Sequence, residues 1–180
     1  MATPRDSDEN VEMSMDTLTM HELAEMEMDE LEDIFSNADV PSVSELDGKY
    51  RGLALASIGH KYLPSVAKKA IALYVGSPLF LWKGKEFEKG ESESEGKGKN
   101  LLLHLDSPLR LFSFTTHLDA SELDGKDCLL VDYDNEKSPL PVRLIRDELR
   151  RVNPALYLGR AYVKVRDEYR FINYFCLEPA

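Results

Sequence analysis

The sequence predicts a mainly β protein, one antiparallel barrel of seven or eight strands, with two short body helices and an acidic amphipathic helix ahead of it. Three observations point there. Short alternating or apolar runs recur from residue 47 onward, turn formers punctuate them, and 180 residues are enough for one ordinary core. Several short strands around one small core must stack as a sandwich or close into a barrel, and closure removes their exposed edges. The two-faced strands favour the barrel, because a narrow barrel with apolar and polar groups inside can hold one small amphipathic molecule.

The formal net charge of −11 is unevenly placed. Residues 1–46 hold fourteen acids and only Arg5, whereas residues 47–180 hold nineteen acids against twenty-one bases. An acidic arm therefore precedes a nearly neutral body. Such an arm repels phosphate backbones and anionic lipid, which argues against a nucleic-acid partner. Residues 1–16 offer little to bury and read as a disordered tail. Residues 17–46 read as an acidic helix and a linker. Thr19 and Glu22 have capping-box spacing, and Met20, Ala24, Met28, Leu31 and Phe35 recur at steps of three or four. The apolar stripe of this helix, from Thr19 to Phe35, either closes one end of the body or docks on a partner protein.

Residues 47–180 read as a single barrel-like domain. A first strand over 49–55 is entered through Asp47-Gly48, 63–74 forms a short helix with Pro64 in its first turn, and 79–87 is a second strand. Residues 88–99, rich in Glu, Ser, Gly and Lys, predict an exposed flexible loop. Residues 100–105 and 109–117 form a hairpin around Asp106-Ser107-Pro108, and 127–133 adds a strand. Over 141–152, Val142, Ile145, Leu149 and Val152 fall at helical steps between Pro141 and Asn153-Pro154. That predicts a second body helix, with Arg143, Arg146 and Arg150 on one face beside Asp147 and Glu148 in a salt-bridge lattice or an anion site. Residues 156–166 and 169–177 make the closing hairpin. The hexapeptide Ser44-Glu45-Leu46-Asp47-Gly48-Lys49 recurs at 121–126, each copy leading into a strand.

In the closing hairpin, a turn at Asp167-Glu168 would pair Val165 with Arg170 and Val163 with Ile172. Arg160, Tyr162 and Lys164 would then stand opposite Phe175, Asn173 and Phe171. That face is either solvent surface or the wall of a small-ligand cavity. As a cavity, Trp82 and Phe175 form its apolar wall, and Arg160, Tyr162 and Asn173 anchor a hydrophobic molecule bearing a carboxylate or hydroxyl. An isomerase, cyclase or lyase on the same scaffold would draw its proton-transfer group from His117, Tyr162 or Asp132. A third reading is an interaction module acting through the acidic helix.

Nothing calls for a cofactor. Gly90, Gly96 and Gly98 lack the strand-to-helix setting of a phosphate loop. No metal is expected either, because His104 and His117 share a hairpin at roughly 20 Å separation and no ligand cluster has metal spacing. Cys128 and Cys176 lie in apolar runs, as two buried thiols or a bridge. The longest apolar run, near residues 71–81, is broken by Gly76 and Pro78, so no membrane insertion is expected. The opening residues are acidic without an apolar signal core, which predicts cytoplasmic residence.

Gly48-Lys49-Tyr50-Arg51-Gly52, followed by Leu81-Trp82-Lys83-Gly84-Lys85-Glu86-Phe87, resembles the GXWXG family of small proteins, with Tyr50 where that family has its central Trp. The order of strands, helical insertion and closing hairpin around Leu158-Gly159-Arg160 is similar to calycin-type barrels, the architecture of lipocalins and fatty-acid-binding proteins. The resemblance implies a barrel with a cavity and transfers no catalytic residue.

Overall fold

Period-two alternation sorts the side chains of this chain into two hydrophobic clusters, one inside a closed barrel and one outside it. The computed structural model describes residues 14–57, 82–92, 94–136 and 138–180. The barrel strands are β1 (Gly48–Ser57), β2 (Trp82–Ser92), β3 (Glu95–Leu102), β4 (Leu109–Ala120), β5 (Asp127–Asp132), β6 (Ile145–Asn153), β7 (Leu156–Val165) and β8 (Glu168–Pro179). Each pairs antiparallel with the next, and β8 pairs with β1, which closes an eight-stranded up-and-down barrel.

The inner cluster draws on seven of the strands, from Tyr50 in β1 to Phe175 and Leu177 in β8. Aromatic rings fill it edge to face, Tyr50 meeting Phe87 and Tyr157, and Trp82 meeting Phe175, at centroid distances of 5.4, 5.7 and 5.7 Å. Two rings need the missing Cβ of a glycine. A Cβ on Gly52 would lie 2.3 Å from the Trp82 ring, and one on Gly159 would lie 2.3 Å from the Phe175 ring. The stretches 48–52 and 82–87 thus lie against one another, with Tyr50 opposite Lys85 in the β1–β2 ladder.

The outer cluster is made by the arm. A 3-10 turn at Met15–Thr17, α1 (Met20–Glu25) and α2 (Met28–Asn37) place Leu18, Leu23, Leu31 and Phe35 on Val152, Leu156, Leu158 and Cys176. Burying Leu23, Leu31 and Phe35 completely stabilises this docking by roughly 1.5–3 kcal/mol each. The capping box at Thr19 forms, with Glu22 N–H on the Thr19 hydroxyl at 3.3 Å. Residues 19–35 are nevertheless two helices, because Glu27 starts a second cap in which its N–H donates to the Glu30 carboxylate at 2.8 Å. The C-terminal carbonyls of α2 are held by cations, Arg150 Nη1 on Phe35 O at 3.0 Å and Lys126 Nζ on Ser36 O at 3.2 Å.

Several sequence expectations are corrected. Residues 141–152 are not a helix. A single turn, α3 (Leu140–Arg143), leads into β6, where Ile145, Asp147 and Leu149 point inward and Arg146, Glu148 and Arg150 outward. The three arginines accordingly share no helix face, and each pairs with a different carboxylate, Arg143 with Asp134, Arg146 with Glu122 and Arg150 with Asp124. Residues 88–92 lie in β2 and 95–99 in β3, which pair through Glu88↔Lys97 and Phe87↔Gly98. The third hairpin is anchored at Leu102↔Leu109, not at Leu105. Cys128 and Cys176 are buried free thiols, so the bridge is not formed. The predicted helix at 63–74 and the start of the second strand at 79–81 lie outside the described residues. No helix among the described residues is long and apolar enough to cross a membrane.

Candidate functional site

Two groups of buried polar side chains stand out, and their hydrogen-bond accounting differs. The first is inside the barrel. Lys85 is fully buried and donates to Asp147 Oδ2 at 2.8 Å, to Asn100 Oδ1 at 3.1 Å and to the Tyr133 hydroxyl. Tyr133 donates to Asp147 Oδ2 at 3.1 Å, and Trp82 Nε1 donates to Asn100 Oδ1 at 3.1 Å. The rings of Trp82, Phe114, Tyr133 and Phe175 surround the ammonium at 5.1–5.8 Å. Burial pulls the Lys85 pKa down, and the Asp147 charge opposes that pull. This is an ion pair provided with counter-charge and hydrogen bonds, placed on the axis of a filled core.

Sequence reasoning missed it, for a local reason. Strict alternation puts Trp82, Gly84 and Glu86 on one face and Lys83, Lys85 and Phe87 on the other. The β2–β3 register shifts between Trp82 and Gly84, and Gly84 has φ +142°, so Trp82 and Lys85 both reach the interior. Asp147 was hidden as well, because an acid between Ile145 and Leu149 interrupts the apolar alternation that marks a strand.

The second group is on the outer wall of β6, β7 and β8, beneath and beside α2. Arg160 is 5% exposed, and its guanidinium carbon lies 5.0–5.6 Å from the ring centroids of Phe35, Tyr162, Phe171 and Tyr174. Its Nη2 faces Glu32 Oε2 at 3.9 Å, beyond hydrogen-bond distance. Arg160 Nε and Nη1 and the Tyr174 hydroxyl, all buried, have no hydrogen-bond partner among the described residues. Met28, Asp29, Glu32, Arg160, Phe171 and Tyr174 line an open cleft of about 590 Å³, within the usual range of small-molecule sites. Burial pushes the Tyr174 hydroxyl up to about 12, leaving it a neutral donor.

Arg150, on the neighbouring strand and the same outer face, is the internal comparison. It forms a two-point contact with Asp124 at 2.8 and 2.8 Å and donates to the carbonyls of Asp127, Phe35 and Lys126 at 3.2, 3.0 and 3.2 Å. Arg150 is a structural clamp whose hydrogen-bonding capacity is used. Arg160 is not.

A second cleft, of about 510 Å³, is lined by Glu88, Lys97, Lys99, Ser113, Thr115 and Glu136 among others. All four of its charged side chains are exposed, so it shows none of the buried, unpaired polarity of the first.

The sequence-selected residues divide between these places. Trp82 and Phe175 stand together in the interior beside Lys85, whereas Arg160 and Tyr162 are on the outer wall. The division comes from the closing hairpin. It turns at Arg166-Asp167, with Arg166 at φ +60° and Val165 opposite Glu168, so the expected Val165–Arg170 pairing is replaced by Val163↔Arg170. The register then shifts between Tyr162 and Ala161, which sets Arg160 opposite Tyr174 and Phe175 opposite Gly159. Asn173 stands opposite Ala161 and donates to the Tyr174 carbonyl at 2.7 Å.

His117, Asp132 and Tyr162 occupy neighbouring rows of the outer face. One row reads Asp132, Arg146, Tyr162 and the next His117, Leu130, Glu148, Arg160. His117 and Arg160 are three strands apart, roughly 14 Å, so His117 does not join the cleft. Tyr162 donates to Glu148 Oε2 at 3.4 Å, and Glu148 also accepts from the Ser121 hydroxyl and Glu122 N–H, both at 2.7 Å.

Burial raises the Glu148 pKa above the ordinary 4.5, against the pull of those donors and of Arg160. Its contribution to stability is therefore full below the unfolded value and is lost as pH rises through the higher folded value. Glu148→Gln is expected to flatten this decline in thermal melts run upward in pH from the ordinary glutamate range. A decline as steep in the variant as in the parent would assign it to other groups.

No family model matches this chain, and neither does any curated protein. A crystal structure of a protein from Thermomonospora curvata shares the fold, with a TM-score of 0.53 and 20% identity over 86% of this chain and 88% of that one. An odorant-binding protein, OBP1, aligns with a TM-score of 0.39 and 14% identity over 78% of this chain and 74% of that one.

Proposed function

We propose that this barrel binds a small amphipathic molecule by its acidic head group, in the cleft between α2 and the β7–β8 wall. The observation that carries the reading is the Arg160 guanidinium, in a residue that lines the cleft, with buried Nε and Nη1 unpartnered among the described residues. A buried cation lacking its hydrogen bonds is unfavourable by several kcal/mol unless something supplies them. An anion in the cleft would supply them, and Tyr174 would add a neutral donor. Met28 and Phe171 give an apolar wall for the rest of the molecule. A closed barrel of eight strands agrees with small-ligand binding in general, and of the polar anchors chosen from sequence Arg160 lines this cleft while Tyr162 and Asn173 do not.

The test is a thermal-shift panel of amphipathic carboxylates, alcohols and amines of matched chain length, with mass spectrometry of natively purified protein for a retained ligand. At about a hundred times Kd a specific ligand adds roughly 2.7 kcal/mol, or about 5–10 °C for a chain of this size. Carboxylates should give that shift and amines none. Equal shifts from amines, or no shift from any carboxylate, would remove the reading.

A further inference from the structure

Resting on the cleft assignment above, we infer that the ligand is a monocarboxylate that takes the place of Glu32 on Arg160. A guanidinium offers two edges for two-point recognition of a carboxylate, Nε with Nη2 and Nη1 with Nη2, since Cδ blocks the third. Both edges include Nη2. In Arg160 that nitrogen is the one facing Glu32, at 3.9 Å, while the unpartnered Nε and Nη1 lie on either side of it. Nη2 carries one N–H on each edge, so a ligand carboxylate on the edge that Glu32 faces must displace it, and one on the other edge would set a second anion beside Glu32 on a single cation. The Glu32 side chain is 52% exposed, so it can turn to solvent without unpacking α2. The body of α2 stays in place through Leu31, Phe35 and the Arg150 contact on the Phe35 carbonyl.

Charge selects the class of acid. The ionisable side chains lining the cleft are Asp29, Glu32 and Arg160, one cation against two carboxylates. Glu148 stands opposite Arg160 in the β6–β7 ladder and adds a further acid on the same wall. A monocarboxylate that exchanges with Glu32 keeps one anion on one cation. A phosphate dianion would add surplus negative charge to a partly desolvated site that is already rich in acids, where repulsion is weakly screened. The four rings around the guanidinium attract it through their faces and present flat apolar surface. The ligand class is thus a small monocarboxylate with a hydrocarbon or aryl body.

The experiment is calorimetric titration of the full chain with decanoate, decyl phosphate and decanol, in the parent and in Glu32→Gln, Arg160→Met and Arg160→Lys. The parent should prefer decanoate to both other probes. Glu32→Gln should bind decanoate at least about fivefold tighter, because the competing anion is gone, and should discriminate less against decyl phosphate. Arg160→Met should reduce decanoate affinity to that of decanol, and Arg160→Lys, which keeps the charge but not the two-edged geometry, should fall between. Decanoate bound by Glu32→Gln no more tightly than by the parent, with loss in Arg160→Met, overturns the exchange and leaves the cleft as the site. Decyl phosphate bound as tightly as decanoate overturns the assigned class. Equal decanoate affinity in the parent and both Arg160 variants, or no binding of any probe, overturns the exchange and the cleft together.

Discussion

Asp147→Ala is expected to lower stability by about 3–5 kcal/mol, a fall in Tm of roughly 6–20 °C for a chain of this length. The reason is the position of Lys85, whose side chain and that of Asp147 are both 0% exposed. Removing the carboxylate leaves an ammonium among four aromatic rings without its counter-charge, while Tyr133 loses an acceptor. The double variant Lys85→Met/Asp147→Leu should recover most of the loss, because both desolvation penalties disappear and the replacements pack with the surrounding rings. Urea denaturation of the two variants makes the comparison. A loss below about 1 kcal/mol for Asp147→Ala would mean that the pair is solvated and the barrel axis open.

Arg160→Met is expected to lower carboxylate affinity to that of the matched alcohol while leaving stability unchanged or raising it by about 1 kcal/mol or more. The guanidinium has given up water for one long contact with the half-exposed Glu32 and for ring contacts of order 2 kcal/mol. A methionine retains the apolar stem and adds sulfur contacts to the same rings. Arg150→Met should behave oppositely, losing about 3–5 kcal/mol, because it breaks the Asp124 contact and frees the Phe35 carbonyl at the end of α2. The same substitution on neighbouring strands thus separates a residue kept for binding from one kept for the fold. Chemical denaturation of both, together with one ligand titration, decides it. Strong destabilisation by Arg160→Met would instead make Arg160 a structural residue.

What the sequence made legible follows the pleat. The closing hairpin, the barrel and the aromatic pair Trp82 and Phe175 were readable because alternation and turn formers are local signals. Residues 141–152 were misread because Ile145 and Leu149 satisfy both a helical step and a strand step, and the residue that decides between them is Asp147. A buried acid makes sense only once Lys85, 62 residues away in sequence, is its partner. Residues 88–99 looked like a linker for a related reason, since Gly98 belongs to a strand where the Phe114 ring lies 2.5 Å from where a Cβ would stand. Arg160 and Tyr162 share one face of β7, as alternation predicts, but a register shift at Ala161/Tyr162 decides which aromatic neighbours face them, and no local pattern announces it. The repeated hexapeptide looked like a turn used twice. Its second copy supplies Ser121 and Asp124 to hold Glu148 and Arg150, a role set by the strand beside it.

The most direct test of Arg160 as the ligand's anchor is the proton–nitrogen correlation spectrum of the arginine Nε–H groups during titration with decanoate. One resonance, assigned by its loss in Arg160→Lys, should shift saturably and exchange more slowly with water as the carboxylate closes on the guanidinium. Saturable decanoate binding that leaves that resonance where it started would contradict the account.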